Sequence, residues 1–169
     1  MHLYNCSLDT SMPLATSGQI GDILRARFTR RMEKNPPDSE VKCWRNSLGA
    51  LAEAIEGACS DDAWMILEYQ LPLCSLRVDA MVVGSSKTRN QGAVLLELKQ
   101  WDRCEPTSTP EIVAVGGTEM LHPSAQARGY RQYLEDAHLA FADGAVRLSS
   151  CAYLHKVRTS VHAPRGPRR

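Results

Sequence analysis

Apolar positions recur along this chain in two rhythms. Over residues 19–32, Ile20, Ile23, Leu24 and Phe28 fall at helical spacing among arginines, which predicts a short amphipathic helix with a basic outer face. Lys34-Asn35-Pro36-Pro37-Asp38-Ser39 breaks the chain there. A second helix is expected from Ser39 or Trp44 to Ala58, because Trp44, Leu48, Leu51, Ala52 and Ile55 share one face. Gly57 and the acidic run after Cys59 end it. The rhythm then changes to short, dense apolar segments at 64–71, 76–83 and 93–98, which read as strands. Pro72 and Leu73-Cys74-Ser75 make the first turn between them, and the loop from Gly84 to Gly92 makes the second. Residues 102–121, with their prolines and Gly116-Gly117, predict an irregular segment, long for a loop in a compact domain. A helix opening at Pro123 or Ser124 and running to about His138 follows, then a last strand over 146–154.

The order is helix, three strands, helix, strand. Short links make the first three strands an antiparallel meander, and the last, arriving through a helix, can pair parallel to a neighbour. The fold class is therefore α/β, a mixed sheet flanked by helices, with the 19–32 helix an extra N-terminal element ahead of the core. One domain is expected over 1–162, with a disordered Pro/Arg tail over 163–169.

Charges interrupt this pattern at informative places. Asp79 lies inside the apolar run 78–83, and Glu97-Leu98-Lys99 closes the run that begins at Ala93. Charged groups are costly in buried strands unless they are paired or bind a metal. If the second loop is symmetric about position 88, Asp79 faces Glu97. If the first turn is symmetric midway between 73 and 74, Glu68 faces Asp79. Paired residues share a sheet face at roughly 4.5–5.5 Å between Cβ atoms, and Lys99 joins them through the two-residue strand period. Three carboxylates in a row repel without a cation, and an all-oxygen site suits Mg²⁺ or Mn²⁺. Lys99 is placed to stabilise charge on a phosphoryl group or to position an attacking water.

The helix from Ser124 adds Gln126 and Tyr130, four apart and on one face, with Tyr133 close by. Arg128 and Arg131 bring positive charge. These types suit a phosphate backbone, so Gln126, Tyr130, Arg128 and Arg131 are the expected nucleic-acid contacts.

Bulk properties narrow the class. The chain has 169 residues, 43% of them apolar and 23% charged, enough for one domain with a real core. A net charge of +1 argues against tail-driven nucleic-acid binding and leaves room for a local basic groove. No apolar run approaches the roughly 20 residues of a membrane span, and residues 1–15 lack the pattern of a signal peptide. The 6 cysteines form no Cys-x-x-Cys pair, which fits a reducing cytoplasm better than a disulfide framework.

Asp79, Glu97-Leu98-Lys99 and Gln126-x-x-x-Tyr130, on this element order, resemble the PD-(D/E)xK nuclease superfamily. The Gln-x-x-x-Tyr element is similar to that of its RecB-like branch. The resemblance implies an αβββαβ restriction-endonuclease-like core and a metal-dependent nuclease. Asp79 and Glu97 would bind Mg²⁺, Lys99 would assist the attacking water, and Gln126 and Tyr130 would contact nucleic acid or brace the site. The superfamily's first acid would be Glu68, Glu56 or Glu53, with Glu68 favoured by the pairing above. The strings 44–48, 67–72, 77–79, 97–101, 122–126 and 151–155 together resemble the N-terminal domain of bacterial Schlafen-related DNA/RNA helicase-like proteins. There a nuclease-like domain precedes an ATPase motor. No Gly-x-x-x-x-Gly-Lys-Ser/Thr loop is present here, so no ATP chemistry is expected, and the chain is a standalone or truncated copy or an excised domain. DNA is the expected substrate, with RNA left open. A helicase or ATPase partner and a homodimer are compatible with the resemblance. The competing class is a catalytically inactive nuclease-fold domain that binds nucleic acid or a partner.

Overall fold

The computed structural model describes residues 1–60, 62–85, 90–142 and 144–156. The chain opens with strand β1 (Tyr4–Ser7) and helices α1 (Leu8–Thr16), α2 (Gln19–Met32) and α3 (Asp38–Ile55). Strands β2 (Trp64–Gln70), β3 (Arg77–Ser85) and β4 (Gln91–Lys99) follow. Three short strands come next, β5 (Glu105–Pro106), β6 (Ile112–Val115) and β7 (Thr118–Leu121). Helices α4 (Pro123–Ala137) and α5 (Leu139–Ala142) then lead to β8 (Arg147–Leu154). The expected tail over 163–169 and the middle of the second hairpin loop lie outside the described residues. Among those residues, no helix is long and apolar enough to cross a membrane.

The fold is mixed α/β. Five strands form one sheet in the order β1-β2-β3-β4-β8, antiparallel except that β8 runs parallel to β4. The parallel pair requires a crossover, which α4 provides. Helices α1, α2 and α3 cover one face, where Ile20, Leu24, Trp44, Leu48 and Leu51 pack with Leu67, Ala80, Leu96 and Leu98. On the opposite face Tyr130 and Leu134 of α4 pack with Met81, Leu95 and Leu148. Neighbours in sequence such as Leu95 and Leu96 thus serve different layers, as strand alternation demands.

Two parts of the chain depart from expectation. Two helices and a strand, rather than one helix, precede α3. Helix α1 carries Pro13 in its interior and buries only Leu8, Ser11 and Ala15, so it has almost no apolar rhythm. Its buried Ser11 is satisfied locally, donating to Ser7 O at 2.8 Å with Tyr4 Oη at 3.3 Å. The segment 102–121 is not irregular but a three-stranded antiparallel sheet, β5-β6-β7. Gly116 and Gly117 have φ of 57° and 82° and join Val115 to its partner Thr118. Positive φ at both central residues is the hairpin geometry that glycine pairs favour.

Candidate functional site

The expected registers hold. On β2 and β3, Leu67 pairs Ala80, Tyr69 pairs Val78 and Gln70 pairs Arg77. On β3 and β4, Ala80 pairs Leu96 and Met81 pairs Leu95. Glu68 therefore falls opposite Asp79, and Asp79 one step past the last β3–β4 pair, opposite Glu97. Neither position forms a regular ladder pair, and the acids do not make a flat row. Glu68 sits at φ 55°, left-handed backbone that is uncommon for a residue with a side chain. Alternation slips there: Leu67 packs with the α1–α3 layer, whereas Tyr69, two residues on, packs with the α4 layer. Ala80 and Val78 divide in the same way on the facing strand. Such strain costs on the order of 1–3 kcal/mol and gathers at functional sites.

Past the end of the ladder, Asp79 uses its side chain where a strand would use its backbone. Its Oδ2 accepts from Leu98 N at 2.8 Å. This bond fixes the Asp79 carboxylate beside the strand end that carries Glu97 and Lys99. Glu97 is 2% exposed. Its Oε1 accepts from Lys99 Nζ at 2.6 Å and from Gln126 Nε2 at 2.8 Å. Its Oε2, also buried, has no hydrogen-bond partner. Gln126 Nε2 further lies 2.6 Å from Tyr130 Oη, so α4 reaches the acids through one amide braced by a buried tyrosine.

One face of α3 supports the other side. Trp44 Nε1 donates to Glu68 Oε1 at 2.8 Å. Arg77 Nε lies 2.6 Å from Glu68 Oε2 without an aligned hydrogen bond, and Arg77 Nη2 donates to Glu40 Oε1 at 2.7 Å. One turn along, Gln100 Nε2 donates to Cys43 O at 3.0 Å and to Ser47 Oγ at 3.1 Å. Ser47 Oγ lies 3.2 Å from His155 Nε2 just past β8. Glu40, Cys43, Trp44 and Ser47 are spaced at i, i+3, i+4 and i+7, so a single helix face touches every strand that builds the site. Glu40, Trp44, Glu68, Arg77 and Asp79 line a cavity of about 130 Å³ between α3 and the sheet.

Burial and mutual repulsion set the protonation of this cluster. Desolvation, with Asp79 nearby, pushes Glu97 up to about 7 against the pull of Lys99 and Gln126. Desolvation pushes Glu68 up to about 8, more than Arg77 and the Trp44 bond offset. Asp79 is raised by burial, opposed by the Leu98 amide, Lys99 and Arg77. Asp79 is felt by both Glu68 and Glu97 and so stands electrically between them. Fully ionised, the four acids Glu40, Glu68, Asp79 and Glu97 exceed the two bases Arg77 and Lys99 by two negative charges. Two protons or one divalent cation would neutralise that excess.

The donor set fits a hard cation in part. Glu97 Oε2 is a buried carboxylate oxygen lacking a partner, and Asp79 stands beside it. Among the described residues, no three His, Cys, Asp or Glu side chains converge as a ready-made metal cage. Mg²⁺ does not need one, since it keeps several waters and is held by one or two carboxylates plus substrate phosphate.

The remaining expected residues scatter. Arg128 pairs with Glu111 just ahead of β6, and Arg131 lies 3.7 Å from Glu135 on its own helix. Both point to partners other than the acids. Tyr133 Oη donates to Pro72 O and braces the β2–β3 turn. Glu53 and Glu56 are exposed at the far end of α3, and the helix acid that reaches the cluster is Glu40. Glu40 escaped the sequence reading, and Trp44, Arg77 and Gln100 entered it only within the family-like strings and, for Trp44, as an apolar helix position, although the helical spacing of Glu40, Trp44 and Ser47 was available as a signal. No protein-family model, curated protein or solved structure matches this chain.

Proposed function

We propose that the chain is a metal-dependent nuclease of the PD-(D/E)xK type with a restriction-endonuclease-like core, hydrolysing phosphodiester bonds of DNA. The observation that carries this reading is the unpartnered, buried Oε2 of Glu97, held beside Asp79 and Lys99. Asp79 and Glu97 are the carboxylates that would hold Mg²⁺ or Mn²⁺, with Glu68 behind them. Such an ion polarises a phosphoryl oxygen and lowers the pKa of a bound water. The Lys99 side chain is about a quarter exposed, and its ammonium, paired with Glu97, can orient a water or stabilise charge on the phosphoryl group. Gln126, already bonded to Glu97, fixes that carboxylate's orientation. A helicase or ATPase partner and a homodimer remain part of the proposal by resemblance alone.

The incomplete cage favours a second reading, a nuclease-fold domain that binds nucleic acid or a helicase without cutting. One experiment separates the two. The protein is incubated with single- and double-stranded DNA and RNA in Mg²⁺, Mn²⁺ or EDTA, beside Lys99→Ala and Asp79→Ala. Metal-dependent cleavage of DNA, abolished in both variants, is expected. Cleavage that survives either substitution overturns the site, and metal-independent binding without cleavage establishes the second reading.

A further inference from the structure

We propose that Trp101 is a stacking platform for an unpaired base at the mouth of this site, so that the site takes single-stranded DNA rather than duplex. The inference rests on the nuclease-site reading above and names its substrate class.

The Glu97–Lys99 pair meets solvent at the lysine. The Glu97 side chain is 3% exposed and the Lys99 side chain 24%, so a phosphate reaches Glu97 past Lys99. Trp101 stands on that approach, two residues beyond Lys99, with Lys99 Nζ 5.8 Å from its ring centroid. It lies between β4 and β5, outside both, and is only half-buried. Among the described residues it packs with neither core cluster, whereas Trp44 is 5% exposed and committed to the core. A large aromatic ring left out of the core, with a cation over one face, is suited to receive a nucleobase on its other face while the cation meets the adjoining phosphate. Stacking of this kind is strong and tolerant of sequence, because every base has a π-face.

The charge of the surrounding segment selects one strand over two. The small sheet rises between Lys99 and Gln126, so both of its ends spring from the site. Over 102–121 it contains Asp102, Glu105, Glu111 and Glu119 against Arg103 alone, and although Arg103 pairs with Glu105 and Arg128 of α4 with Glu111, the segment with Arg128 still carries two more acids than bases. A duplex presents twice the backbone charge of a single strand and keeps its base faces stacked inside. The acidic sheet repels the second backbone, and Trp101 finds no free base face on a duplex.

Binding is measured in EDTA by anisotropy of a labelled 12-nucleotide oligothymidine and of a 12-base-pair duplex, with tryptophan emission followed in parallel. The expected result is tighter binding of the single strand, with quenching of emission. Trp101→Ala weakens it about tenfold or more and Trp101→Phe restores most of the affinity, as alanine substitution at stacking positions does elsewhere. The quenching that comes from stacking disappears in Trp101→Phe, because Trp44, although it lines the acid cavity, is 5% exposed and cannot stack on a base, so any emission change it contributes persists in that variant. Wild-type affinity in Trp101→Ala overturns the proposal, as does tighter binding of the duplex. A variant that loses cleavage but not single-strand binding overturns it too, since Trp101 would then act only by holding Lys99. The readout needs no turnover, so absence of cleavage on any substrate would remove the nuclease reading while leaving the stacking result to stand or fall separately.

Discussion

Glu97 meets different surroundings on its two oxygens. Lys99 and Gln126 both donate to Oε1, while Oε2 is buried without a partner. The carboxylate is therefore held in orientation but not fully compensated, which is why burial lifts it to about 7. The sign of the resulting pH effect follows. The folded state binds this proton more tightly than the unfolded state, whose pKa is near 4.5. Stability from this group is intact below pH 4.5 and is lost as pH rises through 7. Glu97→Gln keeps the shape and removes the titration. At pH 8 without metal it should exceed the wild type by on the order of 2–3 kcal/mol, narrowing to nothing near pH 4. Urea denaturation at the two pH values checks this, and equal stability at pH 8 would show that Glu97 is compensated after all. At this scale Asp79, Glu97 and Lys99 were legible because charge inside an apolar strand is conspicuous. Glu40, Trp44 and Arg77 were not, because each is ordinary on its own element and gains meaning only when α3 lies across the sheet.

That crossing is set by helix α3, which joins elements distant in sequence through side chains one turn apart. Gln100 is the bolt between α3 and the end of β4. It donates to Cys43 O and Ser47 Oγ and accepts from Asn46 Nδ2 at 3.2 Å. On the other side His155 N donates to Lys99 O at 3.3 Å. Gln100→Ala should cost about 1–2 kcal/mol, as lost hydrogen bonds around a part-buried group do. It should also speed exchange of the Leu98 and Lys99 amides, measured by hydrogen–deuterium exchange. Unchanged exchange would mean that β8 alone fixes the strand end. Elements with a strong rhythm were legible nearly to the residue, Gln19–Met32 among them. Strands β6 and β7 were hidden because four residues each are too few to show a period, and only the Gly116-Gly117 turn betrayed them. Glu68's left-handed backbone was hidden for another reason: hairpin symmetry sets which residues face each other, not whether one of them is twisted out of the ladder.

For the whole molecule, the acid cluster is a net liability that protons or a divalent cation can remove. Glu68 at about 8 and Glu97 at about 7 mean that both begin to ionise near neutral pH. As pH rises above about 4.5, the folded state loses the stability that their protons confer, and in EDTA the fall should level off over pH 7–8, where Glu97 and then Glu68 ionise in the folded protein too. Ionised carboxylates are also what a cation requires, so affinity for Mg²⁺ or Mn²⁺ should rise over the same interval, with protons released on binding. A ligand that binds only the folded state stabilises it by about 2.7 kcal/mol at a hundredfold excess over Kd. Saturating Mn²⁺ should therefore raise the melting temperature at pH 8 and leave it unchanged at pH 5.5, where protons already occupy Glu68 and Glu97. Calorimetric melts at both pH values, with Mn²⁺ and with EDTA, give four temperatures that decide the matter. A metal effect of equal size at pH 5.5 would place the ion away from Glu97. No effect at pH 8 would leave the two raised carboxylates as a proton store, and the metal-dependent chemistry proposed for them would fall with it.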